Sequence, residues 1–115
     1  MGGHLTAGHV DGTGRVTSVT RVGEAMKLSM ALPQEVMHYL FVKGFVAVNG
    51  ASLTVASIER NPDIVRFNLV PETLRQTTFK DVNVGDRLNI EADPITRVLV
   101  DTLRRIIPSA ISFPR

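Results

Sequence analysis

The chain has 115 residues and a mass of 12.6 kDa, which suits a single domain with one hydrophobic core. The composition, 43% hydrophobic and 21% charged, is that of an ordinary globular protein, and the lack of cysteine excludes disulfides, thiolate metal sites and a cysteine nucleophile. The formal net charge is +2, but the basic residues are scattered and form no stripe, so we expect no nucleic-acid partner.

Apolar and polar residues alternate in the first third of the chain. Residues 15–20 and 26–32 show this period of two, which predicts two half-buried strands. Pro33 then precedes residues 34–40, a pattern that predicts a short helix with proline in its first turn, ending before Gly44.

A hairpin signal lies in the middle of the chain. Asn49-Gly50 stands between two apolar runs, residues 45–48 and 52–58, and this dipeptide favours the tight turns that join antiparallel strands. The remaining pattern predicts a strand, one helical turn and a last strand, at residues 65–69, 71–76 and 82–92.

The pattern changes from strand to helix at Asp93. Asp93 is a good N-cap, Pro94 suits the first helical position, and Pro108 ends the segment. Because Val100 and Ile107 add apolar residues beside the main stripe, we expect this helix to pack against a partner as well as against its own domain. The stripe has helical spacing and consists of Ile95, Val98, Leu99, Thr102, Leu103 and Ile106.

Six or seven short strands with regular turn signals indicate an all-β protein. Closing such a sheet removes its unpaired edges, so the sequence predicts a small closed antiparallel barrel with short helical turns and a C-terminal α-helix. We expect the barrel to span residues 1–92, the helix 93–107 and a tail 108–115.

Two of the three histidines, His4 and His9, lie in a glycine-rich opening segment. Five positions apart, they would point to opposite faces of a regular strand, so a shared metal would need a bulge, for which Gly8 is available. Asp11 is the only further ligand nearby, and we therefore expect no metal site. On spacing alone, the alternative to a functional role is that both histidines are exposed to solvent or hydrogen-bonded locally.

Other polar residues have structural explanations when taken singly. Ser52 and Thr54 share one strand face, where hydroxyls are common. Thr73 suits a helix edge, and Asp93 suits the N-cap. Spacing alone therefore predicts no catalytic constellation.

Four segments together resemble riboflavin synthases, in order and at compatible separations. They are "GGHLTAGHVDGTG", "KGFVAVNGASLTV", "NLVPETLRQTT" and "GDRLNIEADP", and the resemblance extends over residues 2–107. Members of that family contain two homologous six-stranded barrels followed by a helix, and this chain resembles the second barrel with the helix. The resemblance implies a closed six-stranded barrel of Greek-key type.

The resemblance also implies an activity. In that family two molecules of 6,7-dimethyl-8-ribityllumazine exchange a four-carbon unit, which yields riboflavin and 5-amino-6-ribitylaminouracil without a metal or organic cofactor. The active site forms between two barrels, so the expected partners are the lumazine and another barrel or a second copy of this chain, in a homo-oligomer. The alternative is a lumazine- or flavin-binding module without turnover, as in lumazine proteins.

The matched motifs imply roles for individual residues. Thr54, Val70, Thr73 and Asp93 match ligand-binding positions. Catalytic roles are implied for His4, His9 and Ser52, the last of which stands where first barrels carry cysteine.

The chain shows no targeting signal and no membrane segment. Its apolar runs fall short of the roughly 18 residues that a membrane span needs, and no signal-peptide pattern opens it. We therefore expect no membrane partner and a cytoplasmic location, or a plastid if the source is a plant.

Overall fold

The computed structural model describes residues 10–107, which form seven strands, three α-helices and a 3₁₀ turn at Phe79–Asp81. The strands are β1 (Gly12–Val22), β2 (Ala25–Ala31), β3 (Phe45–Val48), β4 (Ala51–Thr54), β5 (Ser57–Glu59), β6 (Ile64–Leu69) and β7 (Arg87–Ala92). The helices are α1 (Gln34–Met37), α2 (Pro71–Gln76) and α3 (Pro94–Ile106).

All seven strands belong to one antiparallel sheet, in the order β4-β3-β7-β1-β2-β6-β5. β7 pairs with β1, with Gly12 opposite Ile90, and thereby joins the two ends of the described fold. One face of the sheet is apolar and encloses the core, because alternate residues point to the same side. The side chains buried there include Val16, Met26, Leu28, Met30, Val48, Leu53, Phe67 and Ile90.

The segment predicted as one strand, residues 52–58, is divided between β4 and β5. At the division the backbone changes partner: the Val55 amide donates to the Gly44 carbonyl at 2.9 Å, and the Ala56 amide donates to the Arg66 carbonyl at 2.8 Å. The observed sheet therefore has seven strands, where the resemblance implies a barrel of six. Since β4 and β5 stand at opposite ends of the strand order yet only two residues separate them, the sheet is curled.

Two local predictions are confirmed by the backbone. Asn49 and Gly50 adopt φ of 49° and 81°, the left-handed values of a tight hairpin turn between β3 and β4. The last helix begins at Pro94, directly after its N-cap Asp93.

Other boundaries differ from prediction. The last strand begins at Arg87, not at residue 82, because residues 83–86 form a turn: the Asp86 amide donates to the Asn83 carbonyl at 3.0 Å, and Gly85 adopts a φ of 98°. α1 ends at Met37, earlier than the predicted residue 40, and Leu40 is buried beyond the helix.

α3 is attached to α1 and its flanking residues mainly by polar contacts. The Tyr39 hydroxyl donates to Asp101 Oδ1 at 2.7 Å, and Arg104 Nη1 lies 2.6 Å from His38 Nδ1. Within this helix only Val100 is buried. The other apolar side chains of the helix and its end remain exposed, namely Ile95, Val98, Leu99, Leu103, Ile106 and Ile107.

Candidate functional site

The outward face of β4, β3 and β7 carries several of the predicted site residues. Ser52 pairs with Ala47, and Ala47 in turn pairs with Glu91, so the three residues form one row across the strands. The alternate residues of these strands point inward and are buried. Strand alternation therefore separates a core face from a face with polar groups.

A second row lies beside the first. Thr54 pairs with Phe45, and both side chains are exposed. Asp93 directly follows Ala92, the partner of Val46, so continuing this register brings Asp93 opposite Phe45. The predicted residues Ser52, Thr54 and Asp93 thus share one side of the sheet.

A shallow cleft lies on this face, with a cavity volume of about 40 Å³. Its lining includes Phe45, Ala47, Ser52, Glu91 and Asp93. Sites that bury a ligand of drug size on most sides have volumes of about 300–1,000 Å³. The cleft is therefore too small to enclose a ligand of that size.

Asp93 has a structural role in addition to its place in the cleft. Its Oδ2 accepts hydrogen bonds from the Thr96 amide at 2.9 Å and the Thr96 hydroxyl at 3.0 Å. The predicted N-cap is therefore confirmed. Within residues 10–107 both of these hydrogen bonds use Oδ2, so Oδ1 takes no part in the N-cap.

Val70 and Thr73 lie at the start of α2, and neither is among the described residues that line the cleft. Val70 is 56% exposed, whereas Thr73 is 6% exposed. β6, which ends just before Val70, approaches β4 on the side away from β3. The structure thus places these two residues just after the end of β6, outside the lining of the cleft that contains Ser52 and Asp93.

His4 and His9 lie outside the described residues. The adjoining part of the chain begins with Val10, which is exposed, and Asp11, which is bound to the end of β7. The Asp11 amide donates to the Ile90 carbonyl at 2.8 Å, and Asp11 Oδ2 accepts from the Ala92 amide at 2.7 Å. The predicted roles of the two histidines remain predictions.

Sequence reasoning did not identify Phe45, Ala47 or Glu91 as part of the site. The signal was present in the alternation, since Glu91 and Asp93 occupy one strand face, as do Ser52 and Thr54. The missing information was the pairing of β3 with β7, which joins segments far apart in the chain.

Residues 10–107 contain no group of three or more His, Asp or Glu side chains that could hold a metal ion. Within the same range no helix is both long and apolar enough to cross a membrane.

Riboflavin synthases are among the proteins to which this chain is similar. It is 41% identical to that of Chlamydia pneumoniae over 110 residues, 96% of this chain and 52% of the relative. It is 37% identical to that of Photobacterium leiognathi over 99 residues, 86% and 44% of the two chains. With that of Escherichia coli (strain K12), identity is 35% over 108 residues, 93% and 50%. The chain thus spans about half the length of these relatives.

Solved structures of LumP resemble this fold. The complex with 6,7-dimethyl-8-(1'-D-ribityl) lumazine matches with a TM-score of 0.71 and 27% identity, covering 78% of this chain and 48% of that one. The complex with riboflavin matches with a TM-score of 0.69 and 27% identity, covering 75% and 45%. The family model described as "Lumazine binding domain" matches residues 7–93. On this match over most of its length, the chain belongs to the lumazine binding domain family.

Proposed function

We propose that this chain is a riboflavin synthase-type barrel that binds 6,7-dimethyl-8-ribityllumazine and riboflavin. The observation that carries the proposal is the outward face that Ser52, Thr54 and Asp93 share, on which Ser52 and Asp93 line a shallow cleft. LumP, a structural neighbour, has been solved with both of these ligands.

The chemistry of the outward face suits this ligand class. A ribityl chain presents several hydroxyls, which the Asp93 carboxylate and the hydroxyls of Ser52 and Thr54 can satisfy. Val70 would supply apolar surface beside the flat ring, and Phe45 provides an exposed aromatic face at the cleft. Thr73 completes the proposed ligand set, although its burial requires contact through a small exposed part or its backbone.

A closed six-stranded barrel of Greek-key type is part of this proposal. If β4 and β5 act as one bent strand across Val55 and Ala56, the strand order returns to its starting point with six members. The hydrogen bonds from these two amides to carbonyls on either side support that closure. The barrel would then present the cleft on its outer surface.

The proposed activity is the dismutation of two lumazines when this chain faces a second barrel. A cleft of about 40 Å³ leaves one side of a ligand uncovered, which supports a site completed by another loaded barrel. Much of the rate enhancement would come from holding the two reactants face to face, because binding has already removed the translational entropy that the reaction would otherwise lose. His4 and His9 would transfer protons, and the Ser52 hydroxyl would assist, without a metal or organic cofactor.

The partner would be a first barrel of the same family or a second copy of this chain. The exposed apolar stripe of α3 supports a homo-oligomer, because water contact with so many adjacent apolar side chains is unfavourable. We place this reaction in the cytoplasm, or in a plastid for a plant source.

The second candidate is a lumazine- or flavin-binding module without turnover. The likeness to LumP complexes and the small volume of the cleft favour this binding module for the chain alone. Incubating the lumazine with the chain, and then with a first-barrel partner, distinguishes the two. Riboflavin formed only with the partner supports the enzyme, and none in either case supports the module.

Ligand binding itself is tested by quenching of riboflavin fluorescence, for which we expect a dissociation constant in the micromolar range. Thr54→Val should weaken binding about five- to tenfold by removing one hydrogen bond. Thr20→Val is the matched control, an exposed threonine on β1. Equal affinities of the two variants would contradict the proposed site.

A further inference from the structure

Arg97 connects three parts of the molecule: its own helix α3, the chain that enters β1, and the residues after α1. The proposed site depends on their relative positions. It lies within α3, its guanidinium forms an ion pair with Asp11, and it lies 5.7 Å from the centre of the Tyr39 ring. The first contact reaches the chain entering β1, and the second reaches the residues after α1. One side chain therefore joins α3 to both.

The Asp11 end of this contact is largely buried. The side chains of Asp11 and Arg97 are 12% and 28% accessible, so solvent and salt screen their attraction less than at an open surface. One Asp11 oxygen meets Arg97, and the other accepts from the Ala92 amide at 2.7 Å. Asp11 is thus fixed by the guanidinium on one side and the β7 backbone on the other.

This arrangement is next to the cleft. The Ala92 amide belongs to the residue just before Asp93, and Ala92 itself lines the cleft.

We propose that Arg97 is a positioning residue for the candidate site. By holding the Asp11 carboxylate on the end of β7, it fixes the entry of the chain into β1 relative to Asp93 and Ser52. Arg97 does not itself line the cleft among the described residues, so its effect is exerted through Asp11. This inference rests on the proposed function for its catalytic consequence.

The test compares Arg97→Gln with Arg97→Lys, Asp11→Asn and the matched control Arg105→Gln, an exposed arginine on the same helix. Each variant is assayed with the lumazine and a first-barrel partner. We expect Arg97→Gln to lower kcat about tenfold with KM changed less than about threefold, because misplacement of catalytic groups affects turnover more than ground-state binding. Arg97→Lys, which keeps the charge, should recover part of kcat.

The double variant Asp11→Asn with Arg97→Gln separates positioning from folding. It removes both charges, so it should regain stability lost through an uncompensated buried charge, while kcat stays low. A double variant with kcat restored together with stability would overturn the inference, as would an Arg97→Gln enzyme with the kcat of Arg105→Gln.

Hydrogen exchange of the Ala92 amide, measured without ligand, is independent of the proposed function. We expect exchange to be about tenfold faster in Arg97→Gln than in the wild type or Arg105→Gln, because the Asp11 acceptor is no longer held. Unchanged exchange overturns the inference. If the wild type binds neither riboflavin nor the lumazine, the proposed function fails, and this exchange result still decides whether Arg97 holds Asp11.

Discussion

Two helices of this chain begin in the same way and are held by different means. α2 and α3 each follow a strand and start with proline, after the N-caps Val70 and Asp93. α2 has no side-chain cap but buries Thr73 and Leu74, whereas α3 is capped by Asp93 and buries only Val100. The stability of the six-residue helix α2 thus depends on burial, whereas the longer α3 leaves its apolar stripe exposed.

The largest expected effect is on the burial side of this comparison. Leu74→Ala should lower the free energy of unfolding by about 2–4 kcal/mol, since it removes a buried side chain and leaves a cavity. Chemical denaturation measures the loss. Val98→Ala on α3, where the side chain is 62% exposed, is the control and should change it by less than about 0.5 kcal/mol. Equal losses would break the comparison.

The next effect concerns the two N-caps. Asp93→Ala should cost about 1 kcal/mol of unfolding free energy, because the Thr96 amide loses its acceptor. Asp93→Asn keeps an acceptor and should retain most of that stability. Val70→Ala, which removes no cap hydrogen bond, should be close to neutral, as thermal or urea unfolding would show. A loss at Val70 as large as at Asp93 would contradict the assignment.

A smaller effect depends on pH. The hydrogen bond to Asp101, followed by partial burial, raises the pKa of Tyr39 above its ordinary value of 10.0. The folded state then holds this proton more tightly than the unfolded chain, so the stabilisation is complete below about pH 10 and is lost as pH rises through the raised pKa.

Tyr39→Phe tests that contact between α3 and the residues after α1. It should cost about 0.5 kcal/mol at neutral pH, since the hydrogen bond is only partly shielded. The difference in unfolding free energy between wild type and variant should shrink above pH 10. A difference that stays constant through alkaline pH would show that the phenol proton is not involved.

The smallest effect on stability should accompany a clear change in assembly. Leu99→Glu changes a side chain that is 58% exposed, so we expect less than about 0.5 kcal/mol in the isolated chain. Self-association, measured by sedimentation, should nevertheless be lost. Val22→Glu, at an exposed valine on β1, is the control and should leave association unchanged. Association that survives Leu99→Glu would remove the α3 stripe from the proposed interface.

Local signals allowed several elements to be predicted from the sequence. Asn49-Gly50 and Asp93-Pro94 carry their conformational preferences within two residues, and the structure confirms both. The change of partner at Val55 was not predictable, because it depends on carbonyls from two separate strands. The start of the last strand was wrongly predicted at Val82 for a related reason: an apolar residue after a turn fills the core as readily as a strand residue does.

The candidate site divides in the same way. Ser52 and Thr54 were placed on one face by alternation alone. Glu91 could be added only once β3 was known to pair with β7. The Arg97 contact with Asp11 lay beyond sequence reasoning, since the two residues are separated by nearly the whole fold.

The division between β4 and β5 has a mechanical consequence. Two residues, Val55 and Ala56, link the first and last strands of the sheet order, and their amides are held by opposite neighbours. Separating β4 or β5 from its neighbouring strand would strain the other through this short link. We therefore expect these two strands to detach together. Exposed strand edges are templates for aggregation, and a link that keeps β4 and β5 from detaching separately protects the edges of both strands.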